Sequence, residues 1–529
     1  MIRYTANNQL QIEAFKTPFQ VHLDKENRWV KLASILPWDS LASIYYQSMS
    51  TDKGAPSISA RIVIGAMIIK HKLKLDDREV VETIRENMYL QYFLGLSSYT
   101  AEPLFERSLF TAFRYRLGAD KFDQMSQQII SQALTIEGQD KGKAPDEPSS
   151  DQDPTDGSPS GESQAGTRVQ KNEQPKGKLK LDATVADQMI KYPTDLDLVS
   201  DSRQQSERLI DHLCKLLKLA QKPRTYRRNA RRDYLNLSKK KKKGKKELYK
   251  AIGKQLNYLK RNLGTLDKLL NDCPQIPFSR RDYNIYLVIQ HIYAQQLQMH
   301  QDKIHSCADR IVNIYQPHVR PIVRGKAKAM VEFGAKLSVS EQNGYVRMNA
   351  LSWDAYNESA DLEKQVEDYQ DLNGYYPQVV ITDTIYGSRK NREWLKERHI
   401  RLSGKSLGRP SKIAQTAYQK RKFKKEQAER NHIEGKFGQG KNGYNLNKIR
   451  ARKARTSESW IACILFVMNL VRFYKDLSLA PFYALISSIQ QLIYRIIIKE
   501  SVQRNLDKLL LHFFYQRLVV NRTDFFTKP

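Results

Sequence analysis

The sequence predicts two structural classes in one chain: an all-helical N-terminal domain, and an α+β domain with a mixed sheet and flanking helices. Residues 1 to about 135 carry apolar residues at helical spacing, whereas short β-like stretches alternate with helical ones from about residue 179 onward. A long helical stretch, about 202–315, follows the first predicted strand. We therefore expect the sheet to carry a large helical insertion.

Three helices are predicted in the N-terminal domain, over residues 57–74, 78–92 and 104–117. Asp76 and Asp77 offer an N-cap for the second helix, and a glycine closes it. Short helices joined by tight turns suit a helix-turn-helix-like DNA-binding module. They suit any other small helical bundle equally well.

Composition sets the domain boundaries. Residues 137–178 are rich in Pro, Gly, Ser and Asp and contain almost no apolar residues, so they are predicted to be a flexible linker. The N-terminal DNA-binding domain is then residues 1–136 and the second domain residues 179–475. Residues 476–529, rich in isoleucine and aromatic residues, are predicted to be a helical C-terminal extension.

The second domain is expected to alternate strands and helices after its insertion. Strands are predicted at 179–185, 329–339, 344–351, 379–381 and 399–402, and helices at 360–372 and 390–398. The second and third strands read as a hairpin that turns at Gln342-Asn343-Gly344. This order is typical of an α/β or α+β domain.

Charge is the exceptional feature of the composition. The 529 residues carry a formal net charge of +31, which points to a polyanionic partner. Residues 215–261 and residues 389–455 each carry a net charge of +17. Because the excess is concentrated in two segments, it predicts binding surfaces more than general solubility.

Nucleic acid fits this charge better than a membrane does. The first residues lack the apolar core of a signal peptide, and the most apolar stretch, 460–471, is 12 residues long, short of the roughly 20 that span a bilayer. The four cysteines form no C-x-x-C pair, which fits a reducing compartment. We expect a cytoplasmic, nucleoid-associated protein with no membrane partner.

Three acidic residues stand out by their settings. Asp182 lies in the first predicted strand of the second domain, Asp383 ends the apolar run QVVITD, and Glu434 lies in a helical segment of the second basic region. A carboxylate in or after a buried strand usually has a partner, a cap or a metal. Oxygen ligands from three separated positions are those that Mg²⁺ or Mn²⁺ prefers.

Basic residues near these carboxylates are candidate phosphate ligands. On a helix, Arg430, Glu434 and Lys441 fall within a stripe of about 40°. The first basic segment supplies further candidates for DNA binding, namely Arg227, Arg228, Lys240 and Lys241. Its lysine run, 239–243, is expected to bind DNA at a distance from the three acidic residues. Alternatively, the run is a solvated hairpin tip or a disordered loop.

These residues together resemble a known family, the bacterial insertion-sequence transposases of the DDE class. Residues 181–203, LDATVADQMIKYPTDLDLVSDSR, are similar to the segment that bears the first catalytic Asp, and residues 379–395, VVITDTIYGSRKNREWL, to that bearing the second. The Y-x2-R-x3-E-x6-K signature is matched at Arg430, Glu434 and Lys441, whereas its Tyr position is Gln427. The N-terminal segment APSISARIVIGAMIIKHKLKLDDREVVETIREN also resembles the helical domain of this family.

The resemblance implies a ribonuclease H-like catalytic domain in which Asp182, Asp383 and Glu434 bind two Mg²⁺ (or Mn²⁺) ions. Such an enzyme would bind terminal inverted repeats, hydrolyse DNA at the transposon ends and join the free 3′-hydroxyl to target DNA. It would act as a homodimer or higher oligomer on DNA, with Arg430 and Lys441 holding phosphates near the scissile bond.

Two other functions stay open at this point. A non-catalytic DNA-binding protein derived from such a transposase is the main alternative, and Gln427 mildly favours it. A basic RNA-binding or ribosome-associated protein would explain the charge, but not the three carboxylates.

Overall fold

A computed structural model of the chain describes residues 15–16, 22–47, 49–50, 57–141, 174–273, 275, 277–323, 331–404 and 416–478, without the side chains of 137–141. The chain divides into two compact units, 1–470 and 471–529, and the second is described only over the helical residues 471–478. Most of the predicted linker and nearly all of the predicted C-terminal extension therefore lie outside the described residues.

The N-terminal region is helical, as predicted. Its helices are α1 (Arg28–Ile35), α2 (Trp38–Tyr46), α3 (Ala60–Leu73), α4 (Asp77–Glu86), α5 (Met88–Phe93) and α6 (Leu109–Lys141). Asp76 caps α4 in a capping box with Glu79, which confirms the predicted N-cap.

Two of the predicted helices differ from the observed ones. The predicted helix 78–92 is split at Asn87, whose backbone is extended and whose side chain accepts hydrogen bonds from the amides that open α5. The helix predicted at 104–117 begins at Leu109 and continues past a non-helical Gly118, with φ 64°, to Lys141. The boundary predicted at residue 136 thus falls inside α6.

A six-stranded mixed sheet forms the centre of the second domain. Its strands are β1 (Lys178–Asp187), β2 (Arg320–Val323), β3 (Val331–Gln342), β4 (Tyr345–Ser352), β5 (Val379–Ile381) and β6 (Arg401–Ser403). Strands β2 and β4 pair with β3, which runs antiparallel to β1, while β5 and β6 follow on the other side of β1 in parallel. This arrangement confirms the predicted α+β class.

The hairpin between β3 and β4 turns where the sequence predicts it. Asn343 and Gly344 have φ values of 52° and 88°, so both lie in the left-handed region that a two-residue type I′ turn requires. Strand β2 was not predicted, because a four-residue segment that begins with Arg-Pro has no recognisable alternation.

The insertion is a four-helix bundle between β1 and β2. It consists of α7 (Asp195–Leu216), α8 (Arg227–Ser238), α9 (Lys245–Asn271) and α10 (Arg280–Asp302). Leu209, Leu259 and Ile289 are fully buried in its core. The bundle begins at Asp195, a few residues before the predicted start, because Thr194 caps α7.

The remaining helices flank the sheet. They are α11 (Leu362–Asn373), α12 (Arg389–Glu397), α13 (Ala417–Tyr444) and a last helix, α14, over residues 454–478. Asn469 of α14 donates to Ser126 of α6 and to the carbonyl oxygen of Val346 in β4, and accepts from the amide of Val346. Within the described ranges, every helix is too short or too polar to cross a lipid bilayer.

Candidate active site

Two aspartates are associated with neighbouring parallel strands, one within its strand and one just after it. Asp182 belongs to β1, and Asp383 follows β5 by two residues. Lys180 pairs in register with Ile381, the last residue of β5. Continuing that register by two residues would pair position 182 with position 383, so we expect the two aspartates to face each other across one strand spacing of about 4.8 Å.

The pleat of β1 directs Asp182 toward helix α13. Leu179 and Leu181 pack into the core cluster that contains α11, so the alternate residues of β1 face the other way. Lys178, which shares the face of Asp182, confirms this direction because its Nζ lies 2.9 Å from a carboxylate oxygen of Glu429 on α13. Asp182 itself is partly buried.

Asp383 is exposed and begins a short 3₁₀ turn, Thr384–Tyr386. Its Oδ1 accepts a hydrogen bond from the amide of Thr384 at 2.6 Å, which fixes the carboxylate at the end of the strand. Burial, and then the negative charge of Asp182, raises the pKa of the Tyr386 hydroxyl. The Tyr386 phenol thus stays neutral in the core cluster and adds no charge next to Asp182.

Helix α13, which contains Glu434, lies alongside strand β1. Glu429 pairs with Lys178 near the start of β1, and Lys441, further along α13, comes within 4.0 Å of Asp187 at the end of β1. The helix and the strand therefore run in the same direction. Glu434 lies between these two contacts, which sets it beside the middle of β1, where the strand aspartate is.

Glu434 lies at the border of the buried face of α13. Ile433 and Gly440 are buried, while Arg430, Glu434 and Lys441 follow the neighbouring stripe. The Arg430 guanidinium lies 3.0 Å from Oε1 of Glu434, whose side chain is half exposed. The four glycines after Glu434 do not interrupt the helix, which is continuous to Tyr444.

The described residues contain no group of three acidic, histidine or cysteine side chains close enough to hold a metal ion. Asp182 and Asp383 are brought to one level by the sheet, and both offer the oxygen ligands that a hard divalent cation takes. Glu434 is instead engaged by Arg430. In this arrangement, the Glu434 side chain would have to leave its arginine before it could join the two aspartates as a third ligand.

Comparisons with known proteins identify the chain. Residues 18–116 match a model of a transposase domain, and residues 380–471 match a model of a transposase DDE domain. The second match contains Asp383 and Glu434, and it begins after β1 and the insertion. Both matched models are transposase domains, and together they indicate an insertion-sequence transposase of the DDE class.

One curated relative is the uncharacterized protein ORF8 in the nfe locus of Rhizobium meliloti. It is 27% identical to the transposase over 125 residues, which are 23% of this chain and 58% of that protein. The transposase thus covers less than two thirds of that relative's length. No solved structure matches the chain.

The arginines predicted to bind DNA lie at the start of α8. Arg227 of the transposase lies 2.8 Å from a carboxylate oxygen of Asp211, with its side chain still 43% exposed. The side chain of Arg228 is exposed. Because Asp211 is in the second half of α7, these arginines mark the end of the bundle that is remote from the start of α7.

The lysine run lies at the opposite end of the bundle. Lys240 lies 3.2 Å from Glu247 of α9, and Lys241 is exposed. Close to the run, Tyr234 near the end of α8 donates a hydrogen bond of 2.7 Å to Asp197 in the first turn of α7. The lysines therefore lie at the end of the bundle where α7 begins, and DNA binding by them away from the cleaved bond stays a prediction. Helical periodicity carries no signal for which end of a bundle faces the sheet.

Proposed function

We propose that the transposase binds the terminal inverted repeats of its element, cleaves DNA at their ends and transfers the strands to target DNA. The observation that supports the proposal is the parallel pairing of β1, which bears Asp182, with β5, which precedes Asp383, together with the ion pair that joins β1 to the helix of Glu434. Carboxylates from separated parts of the chain that converge on one edge of a sheet suit metal-dependent phosphodiester chemistry.

Asp182 and Asp383 would hold the metal ions, and Glu434 would complete the site after leaving Arg430. When bound, two Mg²⁺ or Mn²⁺ ions would activate the attacking oxygen and stabilise the leaving one. The chain itself supplies no covalent nucleophile in this proposal. Its own part is to position the carboxylates and to hold DNA against them.

Arg430 is the residue that links DNA binding to this site. Its guanidinium pairs with the Glu434 carboxylate at 3.0 Å, and a DNA phosphate is an anion that a guanidinium can bind with two parallel hydrogen bonds. A phosphate that draws Arg430 away would release Glu434 at the moment DNA arrives. Lys441, on the same stripe, would hold a second phosphate.

DNA is the proposed partner, both as transposon ends and as target. The support is the charge of the two basic segments, +17 each, which neutralise phosphates and release counterions. We further propose that the transposase works as a homodimer or larger oligomer on DNA, in the bacterial cytoplasm and nucleoid.

A nicking assay with matched variants tests this function. Duplexes made from the DNA that flanks the coding region are incubated with protein and Mg²⁺, and cleavage and binding are measured side by side. Asp383→Asn should lower cleavage by about a hundredfold or more while DNA binding persists. Asp371→Asn, at an exposed position of α11, controls for loss of one surface charge and should cleave normally.

Two results would count against the proposal. Full cleavage by Asp383→Asn would remove that carboxylate from the chemistry. Tight binding of flanking DNA without any cleavage by the wild-type protein would favour the alternative function, a DNA-binding protein derived from a transposase.

A further inference from the structure

A groove of about 670 Å³ opens at the end of the helical insertion where the lysine run lies. The first turns of α9 form one wall, and the end of α10 with the residues after it forms the other. Its lining is Asp195, Lys245, Lys246, Leu248, Tyr249, Lys250, Ile252, Gln296, Met299, His300, Lys303, Ile304 and His305. Nothing in the proposed chemistry uses these side chains.

The groove combines an apolar interior with a cationic rim. Leu248, Ile252, Met299 and Ile304 supply the apolar surface, and four lysines are exposed around it: Lys245, Lys246, Lys250 and Lys303. The acidic residue of the lining, Asp195, is 2.6 Å from Arg310 and accepts a hydrogen bond from Gln296 at 2.8 Å. Its charge is thus balanced inside the protein, and the rim stays positive.

A pair of stacked rings forms a flat platform in this groove. The rings of Tyr249 and His300 lie 3.9 Å apart with an angle of 11° between their planes. The His300 ring is held in place by a contact of 3.1 Å between Nε2 and the carbonyl oxygen of Tyr249. Gly253 makes room for it, since a Cβ there would come within 3.0 Å of Nε2.

We propose that the groove binds an unpaired nucleotide of a DNA strand, with the base against the Tyr249–His300 platform and the adjoining phosphates on the lysines. The inference rests on the proposed function only in taking DNA as the substrate. Every base has a flat face that stacks on aromatic rings, and such stacking tolerates any sequence. A base within an intact duplex is stacked between its neighbours and cannot reach the ring.

An acidic peptide is the competing occupant. It would use the lysines, but it has no need of a stacked pair of rings between them. The platform therefore favours a nucleotide, because a base and its phosphate match the flat apolar surface and the cationic rim together.

Binding of a fluorescein-labelled oligothymidylate, measured by anisotropy, tests the inference. Tyr249→Leu keeps the apolar character of the position but removes the ring, and should weaken this binding about 5- to 100-fold. Tyr249→Phe keeps the ring and should bind nearly as the wild type does. Binding of duplex DNA should be unchanged in both variants. Tyr249 is 40% exposed, so neither change should disturb folding, which circular dichroism verifies.

The probes also separate the competing occupant. An abasic strand with the same number of phosphates should bind much more weakly than oligothymidylate, and an oligoglutamate peptide should compete poorly. Equal binding of the abasic strand, effective competition by oligoglutamate, or unchanged oligothymidylate binding by Tyr249→Leu would each overturn the proposal. Asp383→Asn should bind oligothymidylate normally, so failure of the groove and failure of the cleavage function are distinguishable.

Discussion

Arg430 and Glu434 lie one helical turn apart on α13 and form an ion pair. An exposed i, i+4 pair of this kind contributes only about 0.3–0.5 kcal/mol, so a DNA phosphate can replace the carboxylate at little cost. The ion pair can therefore exist in the absence of DNA, and a phosphate can replace Glu434 as the partner of Arg430 when DNA binds.

Replacing Arg430 should change how DNA binding depends on salt. Each phosphate contact releases about one counterion, so Arg430→Gln should lower the slope of log K against log salt by about one. Lys425→Gln makes the same charge change at an exposed position across α13 from Arg430, and should leave cleavage intact. The slope is measured by anisotropy with flanking DNA over a range of KCl concentrations. An unchanged slope for Arg430→Gln would show that this side chain contacts no phosphate.

At the scale of elements, helix α13 depends on its glycines in unequal ways. A Cβ at Gly440 would lie 3.1 Å from Leu446 Cδ2 and 3.4 Å from Met468 Sδ, whereas a Cβ at Gly438 would meet nothing within 4 Å. Gly440 is therefore required for close packing against the chain that follows α13. Gly438 only weakens the helix.

Two substitutions separate these roles. Gly438→Ala should raise the free energy of unfolding by about 0.5–1 kcal/mol because alanine favours the helix. Gly440→Val should lower it by about 1–3 kcal/mol because the added side chain overpacks a buried contact. Urea unfolding, followed by circular dichroism, measures both. Changes of the same sign and size would contradict the packing argument.

Local sequence patterns predicted most strands and helices. The break at Asn87 and the position of the lysine run show what such patterns cannot predict. The type I′ turn at Asn343-Gly344 and the strand Val379–Ile381 are found where the sequence predicted them, since both depend on neighbouring residues. The break at Asn87 depends on a side-chain cap that competes with the helix. The orientation of the lysine run depends on packing between α7, α8 and α9, which no local period encodes.

The candidate site was predicted only as a set of residues. Sequence patterns identified Asp182, Asp383 and Glu434, but the level position of the two aspartates follows from strand register, and the engagement of Glu434 follows from an ion pair. Tyr249 is one of the tyrosines interleaved with the first basic segment, but its stacking on His300, 51 residues away, had no sequence signal. Contacts of this range become visible only in the fold.

At the scale of the molecule, the N-terminal helices and the sheet share one core. Asn469 joins α6, β4 and α14 through its hydrogen bonds to Ser126 and Val346. Nearby, the Trp460 ring of α14 packs against the buried ammonium of Lys70, 4.5 Å from its centroid, and the guanidinium of Arg114. Residues of α3, α6 and α14 should therefore unfold together with the sheet.

Asn469→Leu tests this coupling. It should lower the free energy of unfolding by about 2–4 kcal/mol, because the buried amide and carbonyl of Val346 lose their partner. Tryptophan fluorescence and circular dichroism should report one common transition in the wild type. Asn442→Leu, at an exposed residue of α13, should change stability by less than about 0.5 kcal/mol. A separate early transition of the N-terminal helices would contradict a shared core.

The central claim is that Asp182 and Asp383 form one cation site across two strands. Electron paramagnetic resonance of Mn²⁺, titrated into the protein bound to uncleavable flanking DNA, measures this most directly. Asp182→Asn and Asp383→Asn should each weaken Mn²⁺ binding, and the double variant should bind scarcely more weakly than either single one, because the first loss already opens the shared site. Wild-type affinity in either single variant, or losses that add fully in the double variant, would contradict a site shared by the two aspartates.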